Sequence, residues 1–503
     1  MVSRVKTVAF QGIEAVEIDV QVHLSPGLPS FSIVGLPDKA VAESRERVRS
    51  ALHSIGLAAP AKRVTVNLAP ADMQKEGSHF DLAIALALLC EMQVVQQYML
   101  DSYIAMGELA LDGGLGPISG VIPAAIAASS SGRGVICPKY NGPEAMWAGD
   151  IEVLAPPHLL SIINHFKGSQ FITPPVRPEP VNDTSPYPDL SGIVGQETAK
   201  RALEIAASGG HNILMVGPPG AGKSMLARAL SGILPPLAPK EILEVSMIGS
   251  IAGTIREGRI SGHRPFRDPH HSCSMAAMVG GGMRAKPGEV TLSHNGVLFL
   301  DELPEFPRQV LDSLRQPVEN GQVTVSRANS HVTYPANFQL VAAMNPCRCG
   351  HLDDAAKACG KAPRCASDYQ SRISGPLLDR IDMNIDVPAV EIKQIQAKQG
   401  TLEPSSKVAE RVKKVRDLQT ERYKNAKARN NSELEGDLLQ KFCALDDECQ
   451  ELLVRAAQQS GISMRSYNRT LKVARTIADM EGANSIAKPH LAEAIGYNRR
   501  MVA

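Results

Sequence analysis

The sequence has no apolar run long enough to cross a bilayer: its richest stretch, Leu82 to Cys90, spans nine residues where about 20 are needed. Cysteine is sparse. The nine present, an odd number scattered along 503 residues, argue against a disulfide scaffold. Net charge is almost absent too, because 53 basic and 52 acidic side chains leave only +1. A nucleic-acid site must therefore be a local patch and not a property of the whole surface. The opening MVSRVKTVAF lacks the uninterrupted apolar segment and small-residue cleavage site of a signal peptide. Internal repeats and low-complexity tracts are also missing. These absences together predict a cytoplasmic protein in a reducing compartment, without a membrane partner. What remains is ordinary for a folded chain, with 44% hydrophobic and 21% charged residues, enough for large cores in roughly three domains.

Residues 1–168 alternate strand-like and helix-like stretches. Arg63 to Leu68 alternates with period two, and Asp81 to Leu89 reads as a buried helix. The segment FITPPVRPEPVNDTSPYPDL holds six prolines, which fix φ and remove donors, so 169–190 is expected to be a semi-rigid linker. Apolar strands alternating with helices over 191–390 predict a parallel α/β core. Helical spacing prevails over 391–503.

The chemistry is concentrated in the core. The short strand Ile213 to Val216 runs into Gly217-Pro218-Pro219-Gly220-Ala221-Gly222-Lys223-Ser224 and then a helical pattern. This is the phosphate-binding G-x-x-x-x-G-K-[ST] loop in the strand–loop–helix context it requires. Backbone N–H groups and the helix N-terminus would face the phosphates of ATP. Lys223 would neutralise the β- and γ-phosphates, and Ser224 would ligate Mg²⁺. A second apolar strand ends in Asp301-Glu302, at the strand end where open α/β sheets bind ligands. Asp301 is the expected Mg²⁺ partner and Glu302 the base that polarises the attacking water. A third strand, Gln339 to Met344, ends at Asn345-Pro346, where an amide can bond the water or the γ-phosphate.

Two further patterns stand out. Cys347, Cys349, Cys359 and Cys365 follow C-x-C-x9-C-x5-C, and four thiolates of this kind suit a structural Zn²⁺. From Lys407 to Leu418, the residues Val408, Val412, Val415 and Leu418 fall on one helical face, with Lys413, Lys414 and Arg416 assigned to a solvated face.

Ile193-Val-Gly-Gln196, the phosphate loop, the Asp-Glu strand and the Asn strand, in that order, resemble AAA+ P-loop ATPases. Phe266-Arg-Asp-Pro-His-His271, Ser371 to Asp382, and Ala474-Arg-Thr-Ile-Ala-Asp479 narrow the resemblance to the magnesium-chelatase-like branch and its ComM/YifB family. The resemblance implies a homo-hexameric ring that binds DNA without reading sequence and acts as a helicase, promoting branch migration in natural transformation. By the same resemblance Arg380 matches the arginine finger that reaches a neighbour's γ-phosphate. Arg469 matches the lid-domain sensor arginine, and an ion pair with Asp379 or Asp382 is the structural alternative for Arg380. Residues 250–290 correspond to the helix-2 insert of this branch, and Gln322 to Tyr334 to a hairpin before the sensor strand. Arg264, Arg267, His270, His271, Arg284, Lys286 and Arg327 become DNA-contact candidates on that footing, though base-stacking aromatics are few there.

Residues 1–168 resemble a Lon-protease-like fold of the ribosomal S5 domain 2 type, and 391–503 the family's helical lid. His79 falls where such a protease has its serine, and Ile122 where it has its lysine, so proteolysis is not expected. Two rival readings remain: a magnesium-chelatase motor subunit that drives metal insertion through a partner, and an ATP-dependent assembly scaffold.

Overall fold

A computed structural model describes residues 2–179, 187–281, 286–326, 331–350, 352, 359–360, 364–390, 403–460 and 463–498. Two sheets organise the chain, each built by its own part of the sequence.

The first is a seven-stranded mixed sheet. Ser3–Gln11 and Glu14–Ser25 form an antiparallel hairpin, and Arg63–Ala69 adds antiparallel to the second of these. Tyr103–Ala105, Gly134–Ile136 and Val153–Leu154 extend the other edge in parallel. Arg63–Ala69 buries every second side chain, as its period-two spacing predicts. The helix Phe80–Glu91 is buried from Phe80 to Cys90, so a helix apolar on all sides sits inside the domain core. Asp38 caps the helix Lys39–Ser54 by accepting from the Val41 amide at 2.8 Å.

The second is a five-stranded sheet, all parallel. In order it runs Phe266–Arg267, Val297–Leu300, Gln339–Met344, Ile213–Val216, Met383–Asp386. The phosphate-loop strand is second from one edge, so its C-terminal end lies between two other strand ends. The helices Glu197–Gly209 and Lys223–Ile233 cover one face and share a continuous apolar core with the C-terminal helices Ser405–Arg422 and Met464–Met480. Among the described residues from 403 on there is no strand. The protein is thus mixed α/β with a helical C-terminal part. Among the described residues no helix is long and apolar enough to cross a membrane.

Three features depart from expectation, one drawn from the resemblance and two from spacing. Residues 250–290 are not one inserted excursion, because Phe266–Arg267 joins the central sheet as its edge strand. The helix Ser405–Arg422 buries Val408, Val412 and Val415, but Gln419 and not Leu418 is buried next, and Leu418 is exposed. Gln419 reaches the Ser208 carbonyl at 3.0 Å and accepts from the Asn431 amide, so satisfied hydrogen bonds make a polar core position tolerable. Arg416 is not solvated: its Nε donates to the Ala207 carbonyl at 2.8 Å, and burial pulls its pKa down to about 10.

The two halves are joined through the first half of the supposed insert. The Gly120 amide donates to the Ser250 carbonyl, Ser250 Oγ meets the buried Glu144 carboxyl at 2.5 Å, and Trp147 Nε1 donates to the Gly258 carbonyl at 2.7 Å. Burial pushes the Glu144 pKa up.

Candidate ATP site and its surroundings

The ATP-site residues named from spacing converge at the C-terminal ends of three parallel strands. Gly220 and Gly222 take φ values of +77° and +89°, which only glycine adopts without cost and which turn the loop around the phosphate position. Gly217 is required for a different reason: a Cβ there would stand 2.0 Å from the Val387 carbonyl oxygen. The loop delivers Lys223 and Ser224 at the start of the helix Lys223–Ile233.

Lys223 is buried, and its Nζ donates to the Gly217 carbonyl at 2.8 Å, the Pro218 carbonyl at 2.9 Å and Asn345 Oδ1 at 3.1 Å. Burial pulls its pKa down, against the opposing pull of Asp301 and Glu302. The sensor-strand amide and the phosphate-loop cation, 122 positions apart, are therefore in direct contact. Ser224 Oγ donates to Asp301 Oδ2 at 2.7 Å. Two oxygens sharing a Mg²⁺ octahedron at about 2.05 Å would stand about 2.9 Å apart, so this pair fits the ion. Glu302 follows with φ +52°, a left-handed conformation uncommon for a residue with a Cβ. Its amide donates to Asp301 Oδ1 at 2.9 Å, and its carboxylate is half exposed. Asp301 thus faces the ion position while Glu302 faces open space. Gln196, also left-handed at φ +60°, donates to the carbonyls of Ala221 and Pro388 and ties the Ile193–Gln196 motif to the loop.

The basic candidates separate into groups. Arg264 is spent on Glu241 at 2.9 Å and on the carbonyls of Pro235 and Asn295, both at 2.7 Å. Arg267 makes a two-pronged pair with Glu289 at 2.6 and 2.8 Å. Both DNA-contact candidates are thus engaged in ion pairs inside the chain. His270 and His271 stack with ring centres 4.1 Å apart, and His271 Nδ1 stands 3.6 Å from the Glu302 carboxylate. His271 thus belongs to the edge of the ATP site, which spacing did not disclose. Lys286 is exposed, whereas Arg284 and Arg327 lie outside the described residues. Gly281 and the hairpin Gln322–Ser326 / His331–Pro335 adjoin, since a Cβ on Gly281 would lie 3.8 Å from Val325.

Arg380 pairs with Glu319 and donates to the Pro376 carbonyl at 2.6 Å, so its acidic partner is neither Asp379 nor Asp382. Asp382 instead accepts from the Asn212 amide at 2.9 Å. Arg469 donates to the carbonyls of Leu378 and Ile381 and to Ser466, and burial lowers its pKa. It therefore clasps the turn that carries Arg380. Neither arginine has a hydrogen bond to the phosphate loop. Arg475, six residues on in the same helix, is buried against Asp479 at 2.8 Å and is structural.

The cysteine group lies beside the same loop. The sulfurs of Cys347, Cys349 and Cys365 all fall within 4.8 Å of one another, with Cys347 and Cys349 at 3.0 Å, and this trio can hold a metal. Hydrogen bonding to Cys359 and then burial, with the charges of the neighbouring cysteines adding, push the Cys365 thiol up to about 12; Cys359 thus lies beside Cys365, outside the mutually close trio.

Comparison with known proteins agrees with this geometry. Residues 189–395 match the family described as magnesium chelatase, subunit ChlI. Residues 20–141 match subunit ChlI of Mg-chelatase, and 402–498 match the subunit's C-terminal family. The chain is 46% identical to the Competence protein ComM of Haemophilus influenzae over 98% of this chain and 96% of that protein. It is 43% identical to protein YifB of Escherichia coli with the same coverage. The Magnesium-chelatase 38 kDa subunit of Rhodobacter capsulatus is 25% identical over 61% of this chain and 85% of that protein.

Proposed function

Because the chain belongs to the magnesium chelatase ChlI-type AAA+ ATPase family, and within it to the ComM/YifB group, we propose that it is a homo-hexameric ATP-driven DNA motor. In this reading it is a helicase that promotes branch migration of recombination intermediates in natural transformation. The observation that carries the reading is the complete hydrolytic set in one cluster: Lys223 bonded to Asn345, Ser224 bonded to Asp301, and Glu302 turned outward. An assembly scaffold would need nucleotide binding but no base for water.

Lys223 neutralises the β- and γ-phosphates of ATP, and Asn345 aims at the γ-phosphate and the attacking water from the next strand. Ser224 and Asp301 hold Mg²⁺, which supplies charge neutralisation on the phosphates. Glu302 polarises the water, and His271 sits where it can hold or release that carboxylate. Arg380 serves the nucleotide of a neighbouring subunit, where positive charge stabilises the transition state, and Arg469 fixes the turn from which it projects. Lys286, with Arg284 and Arg327, remains as the DNA-contact set, tracking phosphates.

The N-terminal domain is read as a Lon-like fold without protease chemistry. His79 is buried with its Nε2 on the Val8 carbonyl at 2.9 Å, and Ile122 is buried, so neither a nucleophile nor its base stands there. Cys347, Cys349, Cys359 and Cys365 are read as a structural zinc site. The chelatase-motor reading is weaker, because its relative spans only 61% of the chain at 25% identity.

The test is ATP-dependent branch migration of a labelled four-way junction by purified protein, with Glu302→Gln as control. Product from the wild type and none from the variant is expected. Lack of product, together with ATP hydrolysis indifferent to single- and double-stranded DNA, refutes the motor reading.

A further inference from the structure

The cysteine group is built against the ATP site and not merely near it. Cys347 is fully buried and follows Asn345 by two residues. Gly350 then reverses the chain at φ +80°, and a Cβ there would stand 2.7 Å from Pro219 Cδ, so the knuckle rests on the phosphate loop. Cys365 lies on the helix Arg364–Gln370, whose Gln370 donates to the Pro346 carbonyl at 3.0 Å. That carbonyl belongs to the residue between Asn345 and Cys347. The same helix brings Tyr369 close enough to Glu305, Glu302 and Asp301 for these acids, after burial, to help push its pKa up to about 12. The sulfurs are close enough to share one ion: Zn–S bonds of about 2.3 Å place sulfurs about 3.8 Å apart, and the three lie within 4.8 Å of one another, with Cys347 and Cys349 at 3.0 Å.

We propose that Cys347, Cys349, Cys359 and Cys365 bind one zinc ion whose occupancy controls nucleotide affinity, by fixing the turn that carries Asn345 and supports Pro219. The proposal rests on the ATP-site and zinc readings above and adds control of the first by the second. With zinc bound, the four ligands clamp the knuckle to the helix Arg364–Gln370, and Asn345 and Pro219 are held in register with Lys223. Without it, the turn keeps the Gly350–Cys347 backbone bond and the Gln370 contact but loses the clamp to the helix Arg364–Gln370 through sulfur. Binding displaces the thiol protons to solvent and requires no oxidant.

The experiment uses the full-length protein. Metal content is measured by elemental analysis, and affinity by titration with a fluorescent ATP analogue. One zinc per chain is expected. Stripping it with a mercurial reagent, followed by removal of that reagent, should weaken analogue binding about tenfold, the low end of what loss of an outer-shell support does to a site. Stoichiometric zinc, but not Mg²⁺, should restore it. Gly350→Ala keeps all four ligands and should retain one zinc, yet bind the analogue about tenfold more weakly because its Cβ pushes Pro219. Cys359→Ser should lose zinc. Absence of zinc, iron with visible absorbance in its place, or unchanged affinity after stripping each overturns the proposal. If wild-type protein holds zinc but binds no ATP analogue, the ATP-site reading falls and the coupling with it, while the zinc site stands. Lys223→Ala, retaining zinc without binding the analogue, shows that the two sites are measured separately.

Discussion

Replacing Asn345 with alanine should slow hydrolysis far more than it weakens ATP binding. The side chain gives Lys223 one of three hydrogen bonds, at 3.1 Å, while the carbonyls of Gly217 and Pro218 supply the others at 2.8 and 2.9 Å. The ammonium group therefore stays in the loop when the amide is removed, and ground-state affinity should change by less than about fivefold, roughly 1 kcal/mol. In the transition state the amide has no substitute. A hydrogen bond to a charged group contributes about 1.5–3 kcal/mol, and about 1.4 kcal/mol is a factor of ten in rate. The expected fall in kcat is therefore roughly 10- to 100-fold. Steady-state hydrolysis and fluorescent-analogue titration of Asn345→Ala, beside Glu302→Gln as a binding-competent reference, measure both quantities. A kcat within about threefold of wild type would refute the reasoning. So would a collapse of affinity that accounts for the whole loss of rate, because Asn345 would then be a prop for the loop and not a participant in the reaction.

Asp479 is the buried hub of the C-terminal helices, accepting from Arg422 at 2.6 and 2.8 Å, from Arg475 at 2.8 and 3.0 Å and from Asn431 at 2.9 Å. Asp479→Asn leaves two guanidinium groups without their counter-charge and should destabilise that region by about 3–5 kcal/mol; an unchanged urea midpoint and unchanged proteolytic resistance would contradict this. His79 is buried with its pKa lowered by desolvation from near 6.5, so the folded N-terminal domain requires the neutral ring. Its contribution is present above pH ~6.5 and is lost as pH falls through that value and towards the lowered one. The thermal midpoint, followed by the fluorescence of the single tryptophan, Trp147, should drop on acidification below pH ~6.5, and His79→Asn should flatten that drop; an equally steep profile in the variant would refute the assignment.

The legible parts of this protein were those set by local chain geometry. The phosphate loop follows its strand immediately, and its glycines reveal the backbone turn they allow. Asp301, Glu302 and Asn345 are distant in sequence, but each ends an apolar strand. Parallel strands with helical crossovers deliver their ends to one edge of the sheet. Three of the four cysteines read as a group, Cys347, Cys349 and Cys365, do come together where they could hold a metal.

The partner of a charge was not legible. Arg264 and Arg267 have the composition of a DNA-facing patch, yet Glu241 and Glu289 neutralise them from 23 and 22 positions away. His271, a candidate for phosphate contact, stands beside Glu302. Leu418 continued a helical stripe that the fold closed with Gln419, because a helix meets its neighbours at an angle that its own periodicity does not contain. The docking of Glu144 and Trp147 onto Ser250 and Gly258 left no pattern in either segment.

The sequence by itself therefore determined the nucleotide chemistry, since covalent spacing and backbone sterics act within a few residues. Tertiary structure decided which arginines pair with which acids, that His271 faces Glu302, and that the cysteine knuckle rests on Pro219. Each of these depends on which distant surfaces pack together, and packing is a property of the whole chain.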